Sequence, residues 1–289
     1  MKKSKSSNKK RLVMIMLSFI LSFFLFLLGI LVVFQSTVFN TNYMRKQLGA
    51  SNYYENVIEE VEDKFSSYAS ASGFDQDFFK TTIDINDVQF GVNQSLSILY
   101  GNNEESVDTS KFETNLYNKL VENVQGRKIE ITDQIDDSLH LLAKTCADTY
   151  GQYISIPYSQ ELAPFISKLK TPVFILEMLL AFFIILILAV IYKMNHWRHR
   201  AIRAYIYAIS GAVLMVSVIP IVILLSGIVN RLSIISKSVY TFAIYYINGI
   251  LYTFLCFSIV LIIIDLLLAL VYYFMKNKAI HYSEIAHEV

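Results

Sequence analysis

Four long apolar runs, with basic residues on one side of them, constrain the fold of this chain more than any other feature. The runs cover residues 12–34, 172–192, 204–228 and 247–275. About 20 apolar residues in a helix are enough to cross the roughly 30 Å hydrocarbon core of a bilayer. The sequence therefore predicts an all-α polytopic membrane protein with four transmembrane helices.

Lysine and arginine are concentrated at one end of each run. Residues 1–11 contain six basic residues and no acidic one, residues 193–203 contain four basic residues, and residues 276–289 begin with two closely spaced lysines. The positive-inside rule places such segments in the cytoplasm. We therefore expect a multi-pass protein of the cell membrane with both termini inside, and with residues 35–171 and the loop 229–246 outside.

The first run is predicted to be an uncleaved anchor. Its apolar core is 23 residues long, whereas the apolar core of a signal peptide has about 7–15 residues and precedes a small-residue cleavage site. No such site follows this run. We expect the first helix to stay attached to the segment that follows it.

The segment 35–171 is acidic and patterned as helices. It contains 11 basic and 20 acidic residues, a net charge of −9, which argues against nucleic-acid binding because that needs basic patches. Apolar residues recur at helical spacing, with Gly73 as a stop and Ser110-x-x-Glu113 as a capping box. We predict a small helical bundle, an extracytoplasmic domain between transmembrane helices 1 and 2, with helices over residues 43–70, 85–100, 110–126, 132–154 and 159–169.

The two cysteines and the tyrosines near the fourth run receive structural interpretations. Cys146 lies in the predicted outer domain and Cys256 in the fourth run, so they are not expected to pair, and Cys146 is expected to be a free, buried thiol. Neither belongs to a zinc-ligand spacing. Four tyrosines are expected to form an interfacial aromatic belt: Tyr240, Tyr245, Tyr246 and Tyr252.

Two carboxylates inside the runs form the candidate intramembrane polar site. Glu177 lies roughly 7 Å below the outer end of the second run, and Asp265 lies roughly 15 Å above the inner end of the fourth. Intramembrane acids are costly and often functional. The two side chains are expected to serve either a proton or cation path or a polar contact with a neighbouring helix.

Each of these two carboxylates also has a structural explanation that involves no function. Glu177 is shallow enough to reach the surface, where Lys168, Lys170 or Arg231 would pair with it. Asp265 has only apolar neighbours on its own helix, so its partner must come from another helix. The candidates there are Ser18, Ser210 and Ser217.

The link between the second and third runs is dense in basic residues. His196 and His199 have a spacing that can bind a metal on a helix, but the arginines around them disfavour a cation, so no metal site is predicted. We interpret the cluster as a cytoplasmic anchor for lipid headgroups. Its members are Lys193, Trp197, Arg198, Arg200 and Arg203.

A short stretch after the first run carries a resemblance to known proteins. Ser36-Thr37-Val38-Phe39-Asn40, followed by Tyr43 and Asn52-Tyr53-Tyr54-Glu55, resembles the start of the outer domain in a set of Gram-positive bacterial membrane proteins. That set shares the order of anchor, helical outer domain and three-span block, and it carries no assigned activity. The order is also similar to that of a permease-like cell-division protein that partners an ATPase, without its characteristic residues.

Three functional hypotheses remain open from the sequence. The first is a non-enzymatic protein whose domain over residues 35–171 binds or senses a protein partner in the cell envelope. The second is a small transporter or channel subunit that uses Asp265 and assembles as a homo-oligomer. The third is a membrane-embedded enzyme acting on lipid or lipoprotein, although the sequence shows no catalytic residue set. No cofactor is expected in any of them.

Overall fold

Helices make up all of the regular structure in the part of the chain that the computed structural model describes. That part consists of residues 2–101, 106–195 and 198–285. The chain divides into two compact units. The apolar unit contains Met1–Val38, Lys170–Arg231 and Ile247–Val289. The helical domain contains Phe39–Leu169 and Leu232–Tyr246.

The helices follow one another with short connections. Along the described residues they are α1 (Lys2–Ser36), α2 (Thr41–Ala50), α3 (Tyr53–Ser72), α4 (Gln76–Lys80), α5 (Ile85–Leu99), α6 (Ser110–Gly126), α7 (Asp133–Ile154), α8 (Ser159–Met194), α9 (Arg198–Ser226) and α10 (Lys237–Ile285). A single 3-10 turn, Ile228–Arg231, follows α9.

Four of these helices, α1, α8, α9 and α10, contain stretches long and apolar enough to cross a membrane. Large apolar side chains cover their surfaces, as shown by Ile185 in α8 and Leu225 in α9, which are 65% and 83% exposed. Such surfaces suit a lipid bilayer. The prediction of an all-helical chain with four helices that can span a membrane is confirmed.

Within the apolar unit, α1 and α9 approach each other most closely. Small residues line their interface: Ser18 and Ser22 of α1, and Ala204, Ala208 and Ala212 of α9, all of them buried. Small side chains let the backbones of two membrane helices come close, which strengthens van der Waals packing where lipid gives no hydrophobic driving force. The four-residue spacing of the three alanines places them on one face of α9.

The other two apolar helices are held by larger side chains. Ile187 and Ile191 of α8 belong to the same buried cluster as Leu21 of α1. The Tyr205 hydroxyl of α9 donates to the Leu188 carbonyl of α8 at 2.8 Å. On α10, the Phe257 ring occupies the space that a side chain at Gly29 would need, 2.6 Å from an ideal Cβ.

The helical domain is organised around one buried core. The predicted helical spacing is confirmed, since the apolar positions of α3, α5, α6 and α7 face this core. Fully or almost fully buried members include Val57, Val61, Phe65, Val88, Val92, Leu96, Leu116, Leu120, Leu139 and Cys146. Phe79 comes from α4, a short helix that the sequence analysis does not predict. Its ring lies 6.0 Å from that of Phe65.

One predicted helix, over residues 43–70, is divided in two. The chain ends α2 at Ala50 and restarts α3 at Tyr53, with Asn52 in the left-handed conformation at φ 52°. Asparagine is one of the few residues that adopt this conformation readily. Gly73, at φ 74°, ends α3 as predicted.

The predicted capping box at the start of α6 is wrong. Ser110 lies inside the helix, and the residue before it, Thr109, makes no side-chain cap. Asp108 takes the role instead: its Oδ1 accepts the Ser110 N–H at 3.0 Å and also the Ser110 hydroxyl. These bonds lower the pKa of Asp108, because they favour its charged form.

The four long helices begin before the predicted runs, and three of them, α1, α8 and α10, also end beyond them. The basic residues before the first run belong to α1, and α8 is continuous from Ser159 to Met194 rather than a short helix followed by a span. Pro164 and Pro172 lie inside α8 and do not end it. The fourth long helix begins at Lys237, within the predicted loop 229–246.

Candidate functional site

Asp265 of α10 is paired with another helix, as its apolar surroundings require. The Ser210 hydroxyl of α9 donates to Asp265 Oδ2 at 2.6 Å. Ser210 is one of the three serines proposed from the sequence. The second carboxylate oxygen, Oδ1, is buried and has no hydrogen-bond partner among the described residues. The site therefore keeps one carboxylate oxygen available for a further contact.

Glu177 of α8 is half-buried. Its Oε2 is buried without a hydrogen-bond partner among the described residues. In the described part of the chain, no hydrogen bond joins it to Asp265. No ion pair joins it to Lys170 or Arg231, two of the partners proposed from the sequence. The structure does not bring the two candidate carboxylates together.

The basic cluster predicted as a headgroup anchor surrounds the start of α9. Lys193, Arg198, Arg200 and Arg203 are exposed, while Trp197 lies outside the described residues, as does His196. The Arg203 guanidinium lies over the Tyr207 ring, 5.7 Å from its centroid. Arginine over an aromatic face is a favourable cation–π arrangement.

The structure places one further arginine beside this cluster, which the sequence analysis used only to predict the orientation of the chain in the membrane. Arg11 of α1 joins Arg200 and Arg203 in the lining of a cavity of about 420 Å³ between α1 and α9. The alanines at 204, 208 and 212, which the sequence analysis does not use, are a pattern from which this helix pair could have been predicted. No local signal indicated that Arg11 would lie at the same cavity.

A larger cleft, of about 630 Å³, lies in the helical domain. Residues of α5, α7 and the start of α8 line it, mostly with hydroxyl, amide and small apolar groups. Its charged side chains are Asp148 and Glu161, and none of its described lining residues is basic. The remaining members include Ser95, Ser106, Thr109, Gly151, Gln152, Ser155, Pro157 and Tyr158.

The floor of this cleft is held by a long-range hydrogen bond. The buried Ser95 hydroxyl of α5 accepts the Ile156 N–H at 2.7 Å. Ile156 precedes α8, so this bond fixes the chain between α7 and α8 against α5. Gly91 of α5 is equally constrained, because an added Cβ would lie 2.5 Å from Ile154 Cδ1. The cleft is thus built on rigid helices.

A second cavity in the same domain, of about 250 Å³, contains an unpaired buried hydroxyl. Tyr150 is 3% exposed, and its hydroxyl has no hydrogen-bond partner among the described residues. Burial raises the pKa of Tyr150, and the charge of Asp87 raises it further. The Phe112 ring stacks on Tyr150 at 4.2 Å between centroids. The cavity therefore offers an aromatic wall with one hydroxyl donor.

Glu60 of α3 holds the N-terminus of α10. Its Oε1 accepts the Ser238 N–H at 3.1 Å, and its Oε2 accepts the hydroxyls of Ser238 at 2.7 Å and of Ser236 at 3.1 Å. A carboxylate at a helix N-terminus satisfies free N–H groups and is stabilised by the helix dipole. Residues 232–246 thereby belong to the helical domain.

Aromatic contacts strengthen this attachment and change the interpretation of the tyrosines. The Phe242 ring lies 5.7 Å from Tyr53, and Tyr246 lies 6.0 Å from Tyr43. Tyr246 therefore packs against the domain core. Of the other predicted belt residues, Tyr245 and Tyr252 are exposed and Tyr240 is half-buried.

Comparison with protein-family models, with curated proteins and with solved structures finds no match to this chain.

Proposed function

We propose that this protein is a non-enzymatic multi-pass protein of the cell membrane that binds or senses an envelope partner through its helical domain. The observation that carries the proposal is the cleft of about 630 Å³ on that domain. Its volume lies within the range of ligand sites in proteins, about 300–1,000 Å³. The basic segments on one side of the apolar runs support an external position for the domain.

The chemistry of the cleft suggests the kind of partner. Hydroxyl and amide groups offer both donors and acceptors, while Asp148 and Glu161 add negative charge. The described lining has no basic residue to offset that charge, and residues 35–171 carry −9 overall. A polar protein segment that bears lysine or arginine fits this surface best.

Cysteine accessibility tests the position of the domain. Ser67 is exposed on α3, so Ser67→Cys in a cysteine-free background should react with a membrane-impermeant maleimide in intact cells. Arg198→Cys, in the basic link, should react only after the membrane is opened. The reverse pattern would refute the orientation on which the proposal depends.

Crosslinking from the cleft tests partner binding in cells that carry the full-length protein. A photoreactive amino acid at Gln152, which lines the cleft, should give a defined adduct, whereas the same group at exposed Asn118 of α6 should not. Asp148→Asn with Glu161→Gln should weaken that adduct. The matched control, Glu122→Gln with Asp137→Asn, removes two exposed carboxylates elsewhere. Equal adducts from both positions, or equal loss in both double variants, would contradict a partner site in the cleft.

The second candidate function is transport through a path that includes Asp265. One observation favours it, the buried Asp265 Oδ1 that has no partner in the described structure. In this case Asp265→Asn removes the charge and should abolish ion flux in proteoliposomes. If Asp265 is structural, Asn keeps the bond from Ser210, and only Asp265→Leu should lower the amount of folded protein.

A further inference from the structure

The cavity between α1 and α9 combines charge at one end with apolar walls. Arg11, Arg200 and Arg203 line it, and none of the other described lining residues is acidic. Its walls include Ile15, Phe19 and Tyr207, which are 62%, 69% and 61% exposed. The lining therefore offers three positive charges and an uncovered apolar surface to the same occupant.

The three arginines have no anionic partner in the described structure. None of them takes part in an ion pair with a carboxylate there. Three guanidinium groups around one cavity repel each other, and an anion between them relieves that repulsion. Phosphate is the anion that arginine matches best, through two parallel N–H···O bonds per guanidinium.

A second, independent observation lies deeper in the same cavity. Ser22 is 4% exposed, and its hydroxyl has no hydrogen-bond partner among the described residues. Gly211 gives this hydroxyl its space, because a Cβ there would lie 2.6 Å from Ser22 Oγ. Ser18, one turn earlier, also lines the cavity and is buried. An unpaired hydroxyl in an apolar surrounding is costly, so Ser22 needs an acceptor.

The spacing of these groups describes the shape of the occupant. Arg11 and Ser22 are eleven residues apart on one helix, or roughly 16 Å along its axis. A free phosphate ion would satisfy the arginines and leave the rest of the cavity uncovered. An elongated molecule is required, with an anionic head, oxygen acceptors behind it and an apolar body.

We propose that this cavity binds one anionic glycerophospholipid. Arg11, Arg200 and Arg203 hold its phosphate, the serine hydroxyls donate to its ester oxygens, and an acyl chain covers Ile15 and Phe19. A basic pocket between membrane helices on the cytoplasmic side is a known way to bind acidic headgroups. A second helix is a poorer occupant, because it would bury three arginines without an anion.

The proposal is tested on the purified full-length protein by native mass spectrometry, which counts bound lipid molecules. Phosphatidylglycerol should bind with one molecule retained per chain and should be preferred over phosphatidylcholine. The double variant Arg200→Gln with Arg203→Gln should lower the affinity for phosphatidylglycerol about tenfold or more. The matched control, Lys10→Gln with Lys276→Gln, removes two exposed positive charges outside the cavity lining and outside the headgroup anchor, and should bind as the wild type does.

Further variants keep the test decisive if the double variant does not fold. Ser22→Ala and Arg11→Gln change the cavity from α1, and each should lower phosphatidylglycerol binding severalfold without changing the circular dichroism spectrum. Equal binding of phosphatidylcholine, or equal loss in the cavity and control variants, would overturn the proposal. Full displacement of the lipid by glycerol phosphate would also overturn it, since the headgroup alone would then be the ligand.

Discussion

The closest helix interface of the apolar unit buries smaller side chains than the core of the helical domain does. In the helical domain the fully buried residues are large, such as Tyr53, Phe65 and Phe79. At the closest helix interface of the apolar unit they are small, such as Ala208 and Ala212, while large apolar side chains lie on the surface. Burying apolar area stabilises a domain that folds in water, by about 25 cal/mol per Å². Lipid removes that driving force, so close backbone approach replaces it.

The number of hydrogen bonds that a carboxylate receives also differs between the two units. In the helical domain Glu60 receives three hydrogen bonds at the start of α10. In the apolar unit Asp265 receives one, from Ser210. At the start of α10 one free backbone N–H and two serine hydroxyls meet at Glu60, whereas the backbone N–H groups in the middle of a continuous helix are already bonded. Interior carboxylates of membrane helices therefore depend on single side chains from neighbouring helices.

The largest expected effect is the loss of a core aromatic ring. Phe65→Ala should destabilise the helical domain by about 3–5 kcal/mol, because it removes a fully buried ring and leaves a cavity. Phe174→Ala, at a 50% exposed position of α8, should change stability by less than about 0.5 kcal/mol. Chemical denaturation of the full-length protein in detergent measures both. Equal effects would show that the two units do not differ in how they use large side chains.

The second-largest effect on stability is expected from overpacking the interface of small residues between α1 and α9. Ala208 is fully buried between α1 and α9, so Ala208→Leu should push the helices apart at a cost of about 1–3 kcal/mol. Ala189→Leu, at an exposed position of α8, is the matched control and should be neutral. Steric trapping or thermal inactivation in detergent compares the two. A neutral Ala208→Leu would mean that close approach of α1 and α9 contributes little.

Removal of the cap on α10 should have a moderate effect. Glu60→Ala leaves the Ser238 N–H and two hydroxyls without their acceptor, and should cost about 1–2 kcal/mol. Glu59→Gln breaks only the exposed pair with Lys237, at 2.6 Å, and should cost less than about 1 kcal/mol. Hydrogen exchange at residues 236–241 is the measurement. Faster exchange in both variants to the same degree would argue against a special role for Glu60.

At neutral pH the smallest effect on stability concerns the buried thiol of Cys146. Burial raises the pKa of Cys146 to about 12, so its thiol stays protonated and unreactive in the native domain at pH 8. Cys146 should resist maleimide until denaturant is added, and Cys146→Ser isolates the signal of exposed Cys256. Because the pKa of this group is higher in the folded state, its effect on stability is constant below about pH 9. Stability should then decrease between about pH 9 and pH 12. Rapid labelling of native Cys146 would contradict its burial.

Sequence reasoning succeeded where one segment carries its own signal. The apolar stripes of α3, α5, α6 and α7, the stop at Gly73 and the free, buried Cys146 follow from periodicity and local residue type. It failed where two conformations compete locally. Asn52 divides one predicted helix in two, and Asp108 caps α6 in place of Ser110.

The same limit applies to the candidate sites: features that depend on nearby residues were predicted, and features that join distant residues were not. That Asp265 needs a partner on another helix followed from its sequence neighbours, and Ser210 was one of three candidates. The cavity around Arg11 and the cap by Glu60 could not be predicted, because each joins groups far apart in the chain. Ser238 lies 178 residues from Glu60.

The sequence by itself determined the all-helical character of the chain and the number of helices long and apolar enough to span a membrane, because both depend on the length and period of apolar runs. Tertiary structure alone decided which helices approach, which serine meets Asp265 and which residues line the cleft. Periodicity shows which face of a helix is apolar. Periodicity does not show which other helix that face will contact. Many apolar helix faces could pack against it, and only the three-dimensional packing selects one.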